Sequence, residues 1–361
     1  MKDNLIELID EKISQVRTTS LDISFNELLD MYESEELIIS PDYQRLFRWS
    51  EDKESRFIET LILELPLPPI FVIEVEEGKY ELIDGLQRIS TYLHFRGALE
   101  TKKEPLKLID CDIVPELNGL TYQEFPKSLQ IKLKRNFVRV EVLRKESDVN
   151  LRYHMFKRLN SGGEILSAQE VRNCTIRILN QEINNFMIEL SENSDFKNTI
   201  ANISKEEIDK KKDEELVLRF FTLKNNLDNL FNPFDEYLTK YMENVAIGKY
   251  EFDYKNEKDI FIKTFKVLNK ILGKDAFATQ SSYRNYQSNF VQYLYDGLIL
   301  GIQNFLNELE TFDNIDKLQT LFTEIKSNEE IYKKRTGSKS NIKTRTEIIH
   351  KMVKAFINDN K

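Results

Sequence analysis

In the first third of the chain, the order of apolar and polar positions predicts mixed α and β structure. Phe57, Ile58, Leu61, Ile62 and Leu65 recur three and four residues apart, behind Ser50 as a cap and Glu51 and Asp52 in the first turn. Pro66 stops that run, so one amphipathic helix is expected from Ser50 to Leu65. Two β-prone runs follow, Ile70 to Val75 and Lys79 to Ile83, with Glu76-Glu77-Gly78 between them as a hairpin signal. Phe137 to Leu143 reads as a later strand. Beyond Asn193 the pattern changes: Phe261 to Leu272, Ser288 to Leu306 and Ile315 to Ile325 carry apolar residues at helical spacing. The mixed-charge run from Lys205 to Glu215 reads as a solvated helix face or a connector. No repeat or heptad array is visible. The pattern predicts an α+β domain over residues 1–180, a small mixed sheet covered by helices, and an all-helical domain over 181–361.

Composition narrows the class. A chain of 361 residues suits two domains, and 40% hydrophobic content with 23 Phe and 15 Tyr supplies real cores. With acids at Asp3 and Glu7 and no apolar run near the roughly 18 residues a membrane span needs, the chain is expected to be soluble, not exported, and cytoplasmic. Cys111 and Cys174 are accordingly expected as reduced, mostly buried thiols, too few for a zinc site. The net charge of −9 argues against a protein devoted to coating DNA. Its distribution is uneven, however. Residues 131–177 hold eleven Lys or Arg against five acids, and residues 331–346 hold six bases and no acid.

Three stretches carry candidate chemistry. In Tyr80 to Tyr92, a strand runs into Asp84, Gly85 permits a sharp turn, and Leu86, Ile89 and Leu93 begin a helix that Gly97 closes. Gln87 and Arg88 then sit in the first turn, where amides and the helix dipole favour an anion, so Arg88 is expected as a ligand clamp. The plainer alternative makes Asp84 a helix cap and Arg88 a surface residue. The second stretch, Ile39 to Trp49, places Tyr43, Gln44, Arg45 and Arg48 among aromatics able to stack on a base, or merely to anchor a loop. The third runs from Phe156 to Arg172. There Arg158 and Asn160 precede a Gly162-Gly163 turn that lets a ligand approach the backbone, and Ser167 with Glu170 forms a capping box.

Taken in order, these blocks resemble the N-terminal domain of GmrSD-type modification-dependent restriction enzymes, with its Pro-x-Tyr-Gln-Arg, Asp-Gly-Gln-Gln-Arg and Arg-Leu-Asn-x-Gly-Gly-type blocks. The resemblance spans Ser40 to Arg172. It implies a fold similar to the ParB and sulfiredoxin group, a nucleotide site at the Asp84 block, and NTP hydrolysis coupled to DNA cleavage. Asp84, Gly85, Gln87 and Arg88 match that block, whereas Leu86 replaces its first Gln. Relatives that cut DNA often carry a histidine nuclease domain. Only His94, His154 and His350 occur here, without a paired His-Asn or His-His pattern, so either a separately encoded nuclease or no nuclease at all is expected, and the other expected partners are nucleotide, DNA and a second copy of the chain.

On this reading Arg88 and the helix start hold phosphates, Gln87 orients water or phosphate, and Asp84 holds Mg²⁺ or the attacking water. Tyr43, Gln44, Arg45, Gly85, Arg158, Asn160, Gly162 and Gly163 would complete a nucleotide site in which Tyr43, Arg45 and Asn160 approach Asp84. Lys333, Lys334, Arg335, Lys339, Lys343 and Arg345 are expected as an exposed basic surface that meets nucleic acid or the nucleotide phosphates, or else as an ordinary solvated loop, with the last helix starting at Ile342. Two rivals stand beside hydrolysis: a nucleotide-gated switch without turnover, and a DNA-binding or nicking module that uses no nucleotide.

Overall fold

The structure is a computed structural model that describes residues 5–6, 9–10, 17–39, 47, 49–99, 104–145, 147, 154–155, 158, 167–278 and 290–360. It divides into two compact units, Met1–Glu164 and Ile165–Lys361.

The first unit is α+β. Its elements are β1 (Thr18–Ser24), α1 (Phe25–Glu33), β2 (Leu37–Ile38), α2 (Glu51–Ile62), β3 (Ile70–Glu76), β4 (Lys79–Asp84), α3 (Leu86–Arg96), α4 (Lys127–Arg135) and β5 (Phe137–Leu143). The strands form one mixed sheet in the order β1-β5-β3-β4-β2. β1 and β5 are antiparallel, as are β3 and β4, while β5 lies parallel to β3 and β2 parallel to β4. Alternation decides the faces. Val138, Val140 and Val142 of β5 are buried, whereas Phe137 and Arg139, which alternate with them, are exposed. The α2 helix contributes Phe57, Ile58, Leu61 and Ile62 to the core, and α3 contributes Leu86, Ile89 and Leu93. Leu63, the α2 C-cap, ends that helix three residues before Pro66.

The second unit is helical: α5 (Ala168–Leu179), α6 (Gln181–Ser191), α7 (Ser194–Thr199), α8 (Lys205–Asp209), α9 (Lys212–Asn226), α10 (Phe234–Ala246), α11 (Tyr254–Leu272), α12 (Gln292–Gly301), α13 (Leu306–Thr311), α14 (Ile315–Ser327), α15 (Glu329–Lys333) and α16 (Lys339–Asp359). The expected capping box is present, Ser167 Oγ accepting from Glu170 N–H and Glu170 Oε2 from Ser167 N–H. Phe196, Phe220, Phe221, Phe261 and Phe265 form a ring cluster at its centre, each buried.

Within the stretch expected to be helical, α12 stops at Gly301, where Gln303 Nε2 donates to the Ile299 carbonyl oxygen and a short 3₁₀ turn precedes α13. The charge run is more than a solvated face or connector. Lys211 adopts a left-handed conformation (φ 66°) between α8 and α9, which turns Asp213 and Glu214 inward. Glu214 accepts from Lys211 Nζ and Asn173 Nδ2, and Glu215 pairs with the buried Arg172 at 3.0 Å.

Candidate functional site

The turn from β4 into α3 is built as the sequence predicts, with one difference in who caps it. Asp84 ends β4, and Gly85, not Asp84, is the residue at the helix N-cap, with φ 105°. Glycine is required twice over at this position. The left-handed backbone disfavours a side chain, and an added Cβ would stand 2.9 Å from Ile70 Cγ1. The helix closes its first internal bond from Ile89 N–H to Gly85 O at 3.0 Å, so the amides ahead of it point out of the helix start.

Arg88 is not an uncompensated cation at that end. Its Nη2 lies 2.9 Å from Asp84 Oδ2 and donates to the Pro69 carbonyl at 3.2 Å, while Nη1 donates to the Pro68 carbonyl. The Arg88 side chain is 11% exposed and that of Asp84 37%. Asp84 supplies the countercharge, so Arg88 at the helix start does not by itself call for a bound anion. What the turn offers is a preassembled carboxylate–guanidinium pair beside helix-start amides. Gln87 is fixed through its oxygen, which accepts from Trp49 N–H at 3.1 Å, and Trp49 packs edge-on against Phe57, centroids 5.7 Å apart. Leu86 is 4% exposed and points into the core, so the position that departs from the family block contributes no polar group to the turn.

The Pro68 and Pro69 carbonyls and the Trp49 amide join the site without a motif of their own; the one available signal is that a Pro-Pro step offers carbonyls as guanidinium acceptors. Tyr43, Gln44, Arg45, Asn160, Gly162 and Gly163 lie outside the described residues, as does their expected approach to Asp84. Arg158 is helical and exposed.

His94 and Cys111 are both buried in the first unit. His94 sits between Glu54 Oε2 at 2.7 Å and the Glu104 carbonyl at 2.8 Å, and both His94 and Glu54 are buried, which makes the ring a core fastening. Cys111 is a buried free thiol, its pKa pushed up to about 11 by burial and by the nearby Glu59 carboxylate. Among the described residues no group of three or more His, Cys, Asp or Glu is placed to hold a metal.

In the second unit the basic window is only partly a surface. Lys333, Lys334 and Arg335 are exposed, with Arg335 stacked over the Tyr332 ring at 5.5 Å. The last helix begins at Lys339 rather than Ile342, with Ser338 as its cap. Lys339 and Lys343 converge on Asp228, at 3.7 and 2.5 Å. Arg345 is fully buried and contradicts the surface assignment. It falls on the inward stripe of α16 with Ile342 and Ile349, donates to the Lys334 and Thr336 carbonyls, and lies 3.7 Å from Asp296, which Arg219 already grips at 2.6 and 2.7 Å.

Fold and site together define a protein with an α+β unit whose strand-to-helix turn presents an acid, an amide and a guanidinium, joined in sequence to a helical unit. Residues 25–177 match the model of the family described as GmrSD restriction endonuclease, N-terminal domain, and over that span the chain resembles this domain. No curated protein and no solved structure matches the chain. No helix among the described residues is long and apolar enough to cross a membrane.

Proposed function

We propose that the chain is a component of a restriction or anti-phage defence system that binds and hydrolyses a nucleoside triphosphate at the β4–α3 turn, acting with a nuclease module. The observation that carries this reading is the Asp84–Arg88 pair, assembled at a helix start inside the very span that resembles the GmrSD N-terminal domain. Phosphoryl transfer asks mainly for positioning and charge neutralisation. Arg88 exchanges its hold on Asp84 for phosphate oxygens, the first-turn amides of α3 complete the cradle, and Gln87 fixes the angle of approach. Asp84, a single partly exposed carboxylate, fits the usual holding of Mg²⁺ by one or two carboxylates plus phosphates. Mg²⁺ bound there supplies neutralisation of phosphate charge.

Burial of Leu86 favours one second reading, a nucleotide-gated switch without turnover, since the amide that could position a water is missing from this chain. Phosphate release from the purified protein with each of the four NTPs, with and without DNA, separates the two. Asp84→Asn is expected to lower turnover by about a hundredfold or more while leaving the melting curve in place. Release at the wild-type rate in that variant would remove Asp84 from the mechanism. Tight binding without release would establish the switch.

A further inference from the structure

Away from the Asp84 turn, the first unit carries a cleft of about 720 Å³ between the loop that leaves α2 and the junction of α4 with β5. Leu65, Pro66 and Leu67 form one wall, and Ile131, Arg135 and Phe137 the other. Phe137 opens β5 on the face opposite the buried valines, and 65% of it is exposed. Leu65 and Ile131 beside it are 43% and 41% exposed. A single exposed apolar residue needs no explanation, but three around one cleft mark a surface that something covers.

Charge says what covers it. Residues 127–139 contain Lys127, Lys132, Lys134, Arg135 and Arg139 and no acid, in a chain of net charge −9. Two of these bases face acids that also line the cleft: Lys132 stands 3.6 Å from Glu64, and Arg139 donates from Nε and Nη2 to the two Asp22 oxygens at 3.2 and 3.3 Å, with all four side chains open to solvent. Exposed pairs contribute little stability, so a phosphate can compete for the cations. An exposed aromatic ring flanked by cations matches a base with its neighbouring phosphates, and a strand whose bases are already unstacked can reach it where a duplex cannot.

We propose that this cleft binds single-stranded nucleic acid, one base lying on Phe137 and the flanking phosphates meeting Arg135, Arg139 and Lys132. The proposal stands apart from the hydrolysis reading, since it uses none of Asp84, Gln87 or Arg88. The two surfaces are nevertheless neighbours in sequence. The wall formed by Leu65 to Leu67 runs directly into Pro68 and Pro69, whose carbonyls hold Arg88.

Fluorescence anisotropy of the full chain with labelled oligothymidylate, over a salt series and against the same length of duplex, is the test. Wild type is expected to prefer the single strand. Phe137→Ala should weaken binding about tenfold and Phe137→Trp restore it, as stacking requires. Arg135→Ala should lower the slope of log affinity against log salt by about one unit or slightly less. Unchanged melting of each variant keeps the comparison fair, since Phe137 and Arg135 are exposed. No binding of the strand, equal binding of duplex, equal competition by free thymidine monophosphate, or wild-type affinity in Phe137→Ala would each overturn the proposal.

Discussion

At the scale of single residues, the informative ones are charges taken out of water. Asp296 is gripped by Arg219 and approached by Arg345, and all three are buried. Arg345 keeps Nε and Nη2 without a hydrogen-bond partner. Removing the carboxylate leaves two guanidinium groups facing each other in the core, so Asp296→Asn is expected to cost about 3 to 5 kcal/mol in urea unfolding. Adding Arg345→Met to that variant should recover part of the loss, because it removes a buried charge while keeping volume. A double variant no more stable than Asp296→Asn would show that the cluster is not held by charge balance. Arg345 also shows where a sequence argument about charge runs stops. Six bases without an acid look alike on paper, yet three point out, two are tied to Asp228, and one lies inside, because the partner that draws it in sits 49 positions away in sequence.

At the scale of elements, local signals carried most of the first unit. The proline stop, the Glu-Glu-Gly hairpin and the alternation in Phe137 to Leu143 all act between near neighbours, and β3, β4 and β5 appear where these signals place them. The turn at Gly85 was legible for the same reason. Gly85→Ala is expected to destabilise the first unit by roughly 1 to 3 kcal/mol, from the left-handed backbone and the clash with Ile70, measured by chemical denaturation. A loss within error of zero would mean that the β4–α3 turn can adopt another path. What local patterning could not show is which charges a helix buries. In α9 burial raises the carboxyl pKa of Asp213 and Glu214, whereas for Glu215 burial also pushes upward but Lys212 and Arg172 outweigh it and hold the value down. A raised carboxyl favours the fold below its ordinary pKa and withdraws that support as pH climbs through the folded value. Glu214→Gln should therefore gain stability relative to wild type as pH rises from about 4 to about 7. The opposite trend would indicate that the bonds from Lys211 and Asn173 govern the site.

At the scale of the whole molecule, the second unit has a core of its own. The large cluster that runs from Ile176 to Ile357 draws only on residues of the second unit. A fragment of residues 165–361 is thus expected to keep its helical circular dichroism and to unfold cooperatively on its own. A fragment that melts without a transition would show that the helical unit depends on the rest of the chain. Within that unit the pairing of α12 with α16 is set by what is missing from α12. A methyl group on Gly301 would stand 2.5 Å from Ile349 Cγ2, and one on Gly297 would stand 2.9 Å from Ile349 Cδ1 and 3.6 Å from Arg345 Cβ. The spacing of the two helices and the reach of the Arg345 guanidinium toward Asp296 are consequently one variable rather than two. Two hydrogen atoms on α12 act as the gauge of an electrostatic interaction: a methyl at Gly301 that wedged the helices apart would draw Arg345 away from its carboxylate without altering any ionisable group.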